Sequence, residues 1–242
     1  TIAESVNSVL CQTYPLSRLE IIVADGLSDD NTRKIIEQLP EANRIKLLIN
    51  HKRLQSAGMN RCIEDARGEI IVRVDGHTAI SPDYICQCVK ELLNGNIAVG
   101  GSIYPVFHSR MGQGIALASR SFFAIPSAFR TSSNRQYVDT VYMGAWWRKV
   151  FDCVGNFDEN FSSNEDYEMN YRIRAAGGKI LFSPVLYSSY YGQETLGGLA
   201  SQHFRYGKSK PRTLYKHPAS ARIRHLAAPA LVMFMVAGGL LS

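Results

Sequence analysis

The chain lacks the cysteine pattern of a disulfide framework or a zinc site: Cys11, Cys62, Cys86, Cys88 and Cys153 are odd in number and scattered over 242 residues. That usage suits a reducing compartment. A complete phosphate loop is also missing, because Gln202 stands where Gly207-Lys208-Ser209 would need its first glycine. Gly112-Gln113-Gly114 is no dinucleotide fingerprint, since Leu117 occupies the third glycine position. There is no internal repeat or low-complexity tract. No initiator methionine or signal peptide opens the chain, and residues 1–10 already read as an amphipathic helix, so a first strand is expected to be missing.

Acids are absent from residues 208–224, where Lys208, Lys210, Arg212, Lys216, Arg222 and Arg224 equal the whole formal net charge of +6. Residues 226–242 then carry no charge at all. As a helix they would span roughly 25 Å, close to a hydrocarbon core about 30 Å thick. The run reads as a truncated transmembrane helix, with a buried C-terminal helix as the alternative. Basic residues before a span favour the cytoplasmic side and anionic lipid. Nucleic acid is the poorer partner, because only Tyr215 is interleaved with these charges. The expected organisation is a catalytic domain over residues 1–207, a basic juxtamembrane segment over 208–225 and the membrane helix over 226–242.

With 45% hydrophobic residues the chain can bury one large core. Strand and helix patterns alternate: strands over 20–25, 44–50, 69–74 and 97–106, with helices near 32–38, 56–66 and 81–93. Ser81-Pro82 reads as the cap and first turn of the last helix. Residues 137–147 look partly extended and 179–191 strand-like, whereas 108–135 fit neither period and read as a loop with a short helix. Such alternation predicts an α/β fold with a mostly parallel sheet flanked by helices, ligands binding at the strands' carboxyl edge.

Two apolar runs halt at Asp-Gly on that edge. Glu20-Ile21-Ile22-Val23-Ala24 ends in Asp25-Gly26, and Ile70-Ile71-Val72-Arg73-Val74 ends in Asp75-Gly76-His77. A carboxylate and an imidazole two residues apart suit Mn²⁺ or Mg²⁺ beside a diphosphate; the alternative is a solvated turn. Glu165-Asp166 precedes a helical segment, where acids also serve simply to complement the helix dipole. Trp146 and Trp147 fit either a sugar-stacking surface or the core.

These segments, together with Ala57-Gly58-Met59-Asn60, Ala66-Arg67-Gly68-Glu69 and Gly155-Asn156-Phe157-Asp158-Glu159, resemble family 2 glycosyltransferases of the GT-A fold. The nearest likeness is to membrane-anchored bacterial enzymes of exopolysaccharide synthesis of the succinoglycan type. The resemblance implies a metal-dependent, inverting hexosyltransferase that uses a UDP-sugar donor and a lipid-linked saccharide acceptor. Its catalytic domain would lie at the cytoplasmic face of a bacterial inner membrane. It implies Asp166 as general base supported by Glu165, Asp25 at the uracil, and Asp75 by the ribose and metal. His77 would be the second metal ligand, with Asn60 and Arg205 also on the donor side. Gln202-His203-Phe204-Arg205-Tyr206 resembles the Q-x-x-R-W segment of processive polysaccharide synthases, with Tyr206 replacing Trp. Three departures stand out: Ala24 for an acid, Met59 for an Arg, and His77 for a second Asp. Imidazole brings no negative charge, which weakens the metal site and favours Mn²⁺. The alternatives to a simple transferase are a processive synthase and a catalytically silent nucleotide-sugar-binding subunit.

Overall fold

Apolar runs broken by turn residues become the strands, and the 3.6-residue periodic segments between them become the helices that cover the sheet. The computed structural model describes residues 1–119, 121, 130, 132–222, 229–230 and 232–234. In chain order the elements are α1 (Ile2–Leu10), β1 (Ile21–Asp25), α2 (Thr32–Glu37), β2 (Ile45–Ile49), α3 (Gln55–Asp65), β3 (Ile70–Arg73) and β4 (Thr78–Ile80). Then come α4 (Tyr84–Leu93), β5 (Ala98–Val106), α5 (Arg110–Ser119), β6 (Gln136–Val138) and β7 (Tyr142–Trp147). The last are α6 (Lys149–Val154), α7 (Glu165–Ala175), β8 (Ile180–Tyr191) and α8 (Leu196–Lys216).

The sheet departs from the mostly parallel expectation. β1 and β2 form a parallel pair, and a second sheet runs β3-β7-β5-β8-β4 with β6 also on β8. Within it only β5 and β8 are parallel; β7 is antiparallel to both its neighbours, β3 and β5, while β4 and β6 are antiparallel to β8. The alternation argument assumes a helix between successive strands. No helix separates β3 from β4 or β6 from β7, and β4, β6 and β7 all run opposite to β3, β5 and β8. β1 and β3 do not pair with each other, and both line a cavity of about 650 Å³ together with residues of α1.

Each face of the second sheet has its own core. On one, Trp146, Phe182 and Ile180 pack with Phe151 of α6 and Met169 and Ile173 of α7. On the other, Leu181, Met143 and Val99 pack with Tyr84, Ile85, Cys88 and Leu92 of α4. Cys88 is buried and Cys86 less so, as their spacing on a helix requires, and all five cysteines are free. The expected cap of α4 is replaced: the helix starts at Tyr84, and Gln12 reaches from the end of α1 to accept from the Ile85 N–H at 2.9 Å. Its amide also donates to the Ser81 carbonyl at 2.7 Å.

The basic segment is not simply a solvated face. Lys216 pairs with Asp158 and Glu168 at 2.7 Å each, Lys210 sits 3.4 Å from the Tyr167 ring centroid, and Arg212 donates to the Asn160 carbonyl. Glu168, with no exposure, also accepts from Arg172 at 2.8 Å and pairs with His217 at 2.9 Å. Burial opposes its charge, and these partners hold its carboxyl below the usual range. These contacts bind the end of α8 to α7. The expected membrane helix over 226–242 lies outside the described residues apart from 229–230 and 232–234. Among the described residues no helix is long and apolar enough to cross a membrane. Likewise 120, 122–129 and 131 of the unassigned 108–135 stretch lie outside them, while α5 supplies its helix.

Candidate active site

Alternation along β3 puts Ile71, Arg73 and Asp75 on one face, and the chain end of that strand meets the start of α7. Two local features set this meeting. Gly144 pairs with Arg73 across the ladder at φ +154°, where a Cβ would lie 2.6 Å from the Trp146 ring. Asn164 adopts a left-handed φ of +65° immediately before Glu165, a conformation Asn tolerates better than most residues. The turn is pinned to α8: Asn164 Nδ2 donates to the Tyr206 carbonyl at 3.3 Å, and Ser163 Oγ lies 2.7 Å from Ser209 Oγ.

The result is one guanidinium among three carboxylates. Arg73, 3% exposed, donates through Nε to Asp75 Oδ1 at 2.7 Å and through Nη2 to Asp75 Oδ2 at 3.3 Å. Nη2 also reaches Glu165 Oε1 at 3.4 Å, and Nη1 pairs with Asp166 Oδ1. Burial opposes the Asp75 charge, and Arg73 overcomes it, holding that carboxyl below the usual range. Asp166 goes the other way. Burial, with the Glu165 and Asp75 charges, outweighs Arg73 and pushes its carboxyl up to about 7. A proton acceptor tuned near neutrality is what general base catalysis requires.

Asp75 is further held by Gln55 Nε2 at 3.2 Å on Oδ1 and by the Tyr142 hydroxyl at 3.2 Å on Oδ2, so each oxygen accepts twice. His77 is exposed, its ring edge-on to Tyr190 with centroids 5.1 Å apart. Among the described residues no group of three or more His, Cys, Asp or Glu could hold a metal ion. Both Asp75 oxygens are already taken by Arg73, Gln55 and Tyr142, so a cation beside Asp75 and His77 would displace one of these donors and draw its other ligands from a bound diphosphate.

The other expected residues divide. Asp25, 4% exposed at the end of β1, accepts from the Ser28 N–H at 3.3 Å, pairs with Arg33 at 3.2 Å, and lines the same cavity as Asp75. Gln202 and Tyr206 come together, the amide donating to the Tyr190 hydroxyl at 3.2 Å and the Tyr206 hydroxyl at 3.1 Å. Arg205 is exposed on α8 and, among the described residues, pairs with none of the carboxylates. Asn60 lies outside the cluster: its amide exchanges two 2.9 Å bonds with the Phe157 backbone and donates to Glu159 at 2.9 Å. Trp146 is 1% exposed in the core, and Trp147 Nε1 donates to the Asn96 carbonyl at 3.2 Å, so stacking on sugar is not the role of Trp146. Arg73 is the residue missed from the sequence. Its signal was a lone base in a β-branched run, two residues before Asp75 and so on the same face.

A family model described as glycosyl transferase family 2 matches residues 1–155. The chain belongs to that family. Succinoglycan biosynthesis protein ExoA of Rhizobium meliloti is 31% identical over 227 residues, covering 92% of this chain and 68% of that protein. Among solved structures, the mannosyltransferase PcManGT of Pyrobaculum calidifontis, in complex with GDP-Man and Mn²⁺, superposes with a TM-score of 0.67 at 19% identity. That match covers 91% of this chain and 61% of the other. S. aureus TarS 1–349 in complex with UDP gives 0.58 at 16% identity, over 78% of this chain and 56% of that one. These structures establish the GT-A fold, with its mixed sheet between helices. The family 2 chain is thus a glycosyltransferase, and its Glu165-Asp166 pair lies just beyond the residues the family model matches.

The hydrogen bonds of Asn60 give a structural expectation. Asn60→Ala should lower unfolding free energy by about 2 kcal/mol, because it leaves the Phe157 N–H without its partner. Urea denaturation reads this directly; unchanged stability would count against this structural role.

Proposed function

We propose that the protein is an inverting hexosyltransferase that moves a hexose from a UDP-sugar to a lipid-linked saccharide in bacterial exopolysaccharide or cell-surface glycan synthesis. The observation that carries this reading is the placing of the half-buried Asp166 on Arg73 beside the buried Glu165 and Asp75, with its carboxyl pushed up to about 7. In this reading Asp166 accepts the proton of an acceptor hydroxyl as that oxygen forms its bond to the anomeric carbon. The bond from that carbon to the diphosphate oxygen breaks on the opposite face, and UDP leaves with the electron pair. Asp25 faces the base of the nucleotide and Asp75 its ribose side, both from the cavity they share. Asp75 and His77 would hold Mn²⁺ or Mg²⁺, whose charge offsets that of the departing diphosphate when bound.

Support for UDP as the nucleotide comes from the TarS complex, and support for a divalent cation from PcManGT with Mn²⁺. The exopolysaccharide context rests on the ExoA relative. The membrane reading rests on the uncharged 226–242 run and on the exposed Phe204 and Tyr215 of α8. It puts the catalytic domain at the cytoplasmic face of the inner membrane.

Asp166→Asn should abolish hexose transfer while UDP affinity, measured by calorimetry with Mn²⁺, stays within about threefold; undiminished turnover would remove Asp166 from the mechanism. Because the base works ionised and its carboxyl is pushed up to about 7, kcat should fall as pH drops below that value and level off above it. A flat profile from about pH 5 to about pH 8 would contradict this. The full chain should float with phosphatidylglycerol vesicles in a density gradient, and recovery in the soluble fraction would count against the membrane reading.

A further inference from the structure

Among the described residues Arg73 is the one side chain paired with Asp166, and equally the one paired with Glu165. Asp75 differs, since Gln55 and Tyr142 hold it independently of Arg73. The strand end and the helix start, 93 residues apart in sequence, therefore meet through one planar group. The Nε contact at 2.7 Å and the Nη2 contact at 3.3 Å set the guanidinium on Asp75 as a fork, which leaves Nη1 directed at Asp166. Gly144 lies across from Arg73 in the β3–β7 ladder, and β7 also supplies the Tyr142 hydroxyl that keeps Asp75 in place.

We propose that Arg73 is a positioning residue: anchored on Asp75, it fixes the Asp166 carboxylate where the acceptor proton is taken. The inference deepens the reading of Asp166 as general base and rests on it. A lysine would keep the charge but offers a single ammonium on a flexible stem, which cannot span three carboxylates from one position. Loss of the fork therefore falls on turnover, because Asp166 loses its only side-chain partner among the described residues while Asp75 keeps two. Misplacement of a reacting group by about 1 Å costs about a hundredfold in rate.

The test compares Arg73→Lys, Arg73→Met and Asp166→Asn in the full chain. UDP release from UDP-hexoses, UDP binding and its stoichiometry by calorimetry, and crystal structures of wild type and Arg73→Lys are the readouts. Arg73→Lys should bind UDP at full stoichiometry within about threefold of wild type, lose about tenfold in kcat at little change in KM, and show the Asp166 carboxylate displaced. Arg73→Met should lose about a hundredfold in kcat; should it fail to fold, Arg73→Lys decides alone. An unmoved Asp166 in Arg73→Lys, or UDP binding lost in proportion to turnover, would overturn the proposal. Undiminished turnover in Asp166→Asn would instead overturn the base assignment itself, so the two failures are distinguishable.

Discussion

A guanidinium buried among three carboxylates is the constraint around which the catalytic edge is organised. Removing a charge from water is costly by several kcal/mol unless well-placed partners compensate, and Arg73 has partners on every donor nitrogen. One positive charge cannot neutralise three negative ones. The surplus appears at Asp166, whose carboxyl is pushed up to about 7 while that of Asp75 is held down. Two acids of similar intrinsic strength thus acquire different proton affinities around one shared neighbour.

The helix that carries Asp166 is held along its length. Its start is fixed by Arg73 and by the Ser163–Ser209 contact, and its middle by Met169 and Ile173 in the core. On its outer side Glu168 collects Arg172, Lys216 and His217. Part of the segment expected to be a basic juxtamembrane stretch, Lys216 with His217, therefore ties α8 against α7. A catalytic carboxylate needs this kind of rigid support, because its reach is set by the backbone that bears it.

Much of the architecture was legible before any coordinates. The β-branched runs ending at Asp25 and Asp75 are strands of nearly the expected limits, and the Glu165-Asp166 pair begins a helix as its flanking residues indicate. Sheet direction was not legible, because strand direction follows from how the links between strands cross the sheet, and three strands, β4, β6 and β7, run opposite to β3, β5 and β8. β4 was too short to show a period, and Pro211 obscured α8, which continues through it. Within the site, the carboxylates were visible as motifs but Arg73 was not, since its meaning depends on a contact 93 residues away. Asn60 shows the converse: it sits in a recognisable segment, yet its amide holds the Phe157 backbone.

The central claim is that donor and base meet at one edge, on either side of the reacting carbon. An experimental structure of the protein with UDP and Mn²⁺ tests it most directly. The diphosphate is expected beside Asp75 and His77, the uracil toward Asp25, and Asp166 still paired with Arg73 and facing the open side of the diphosphate. UDP bound away from the Asp25–Asp75 cavity, or Asp166 turned away from the diphosphate with its Arg73 pair broken, would contradict it.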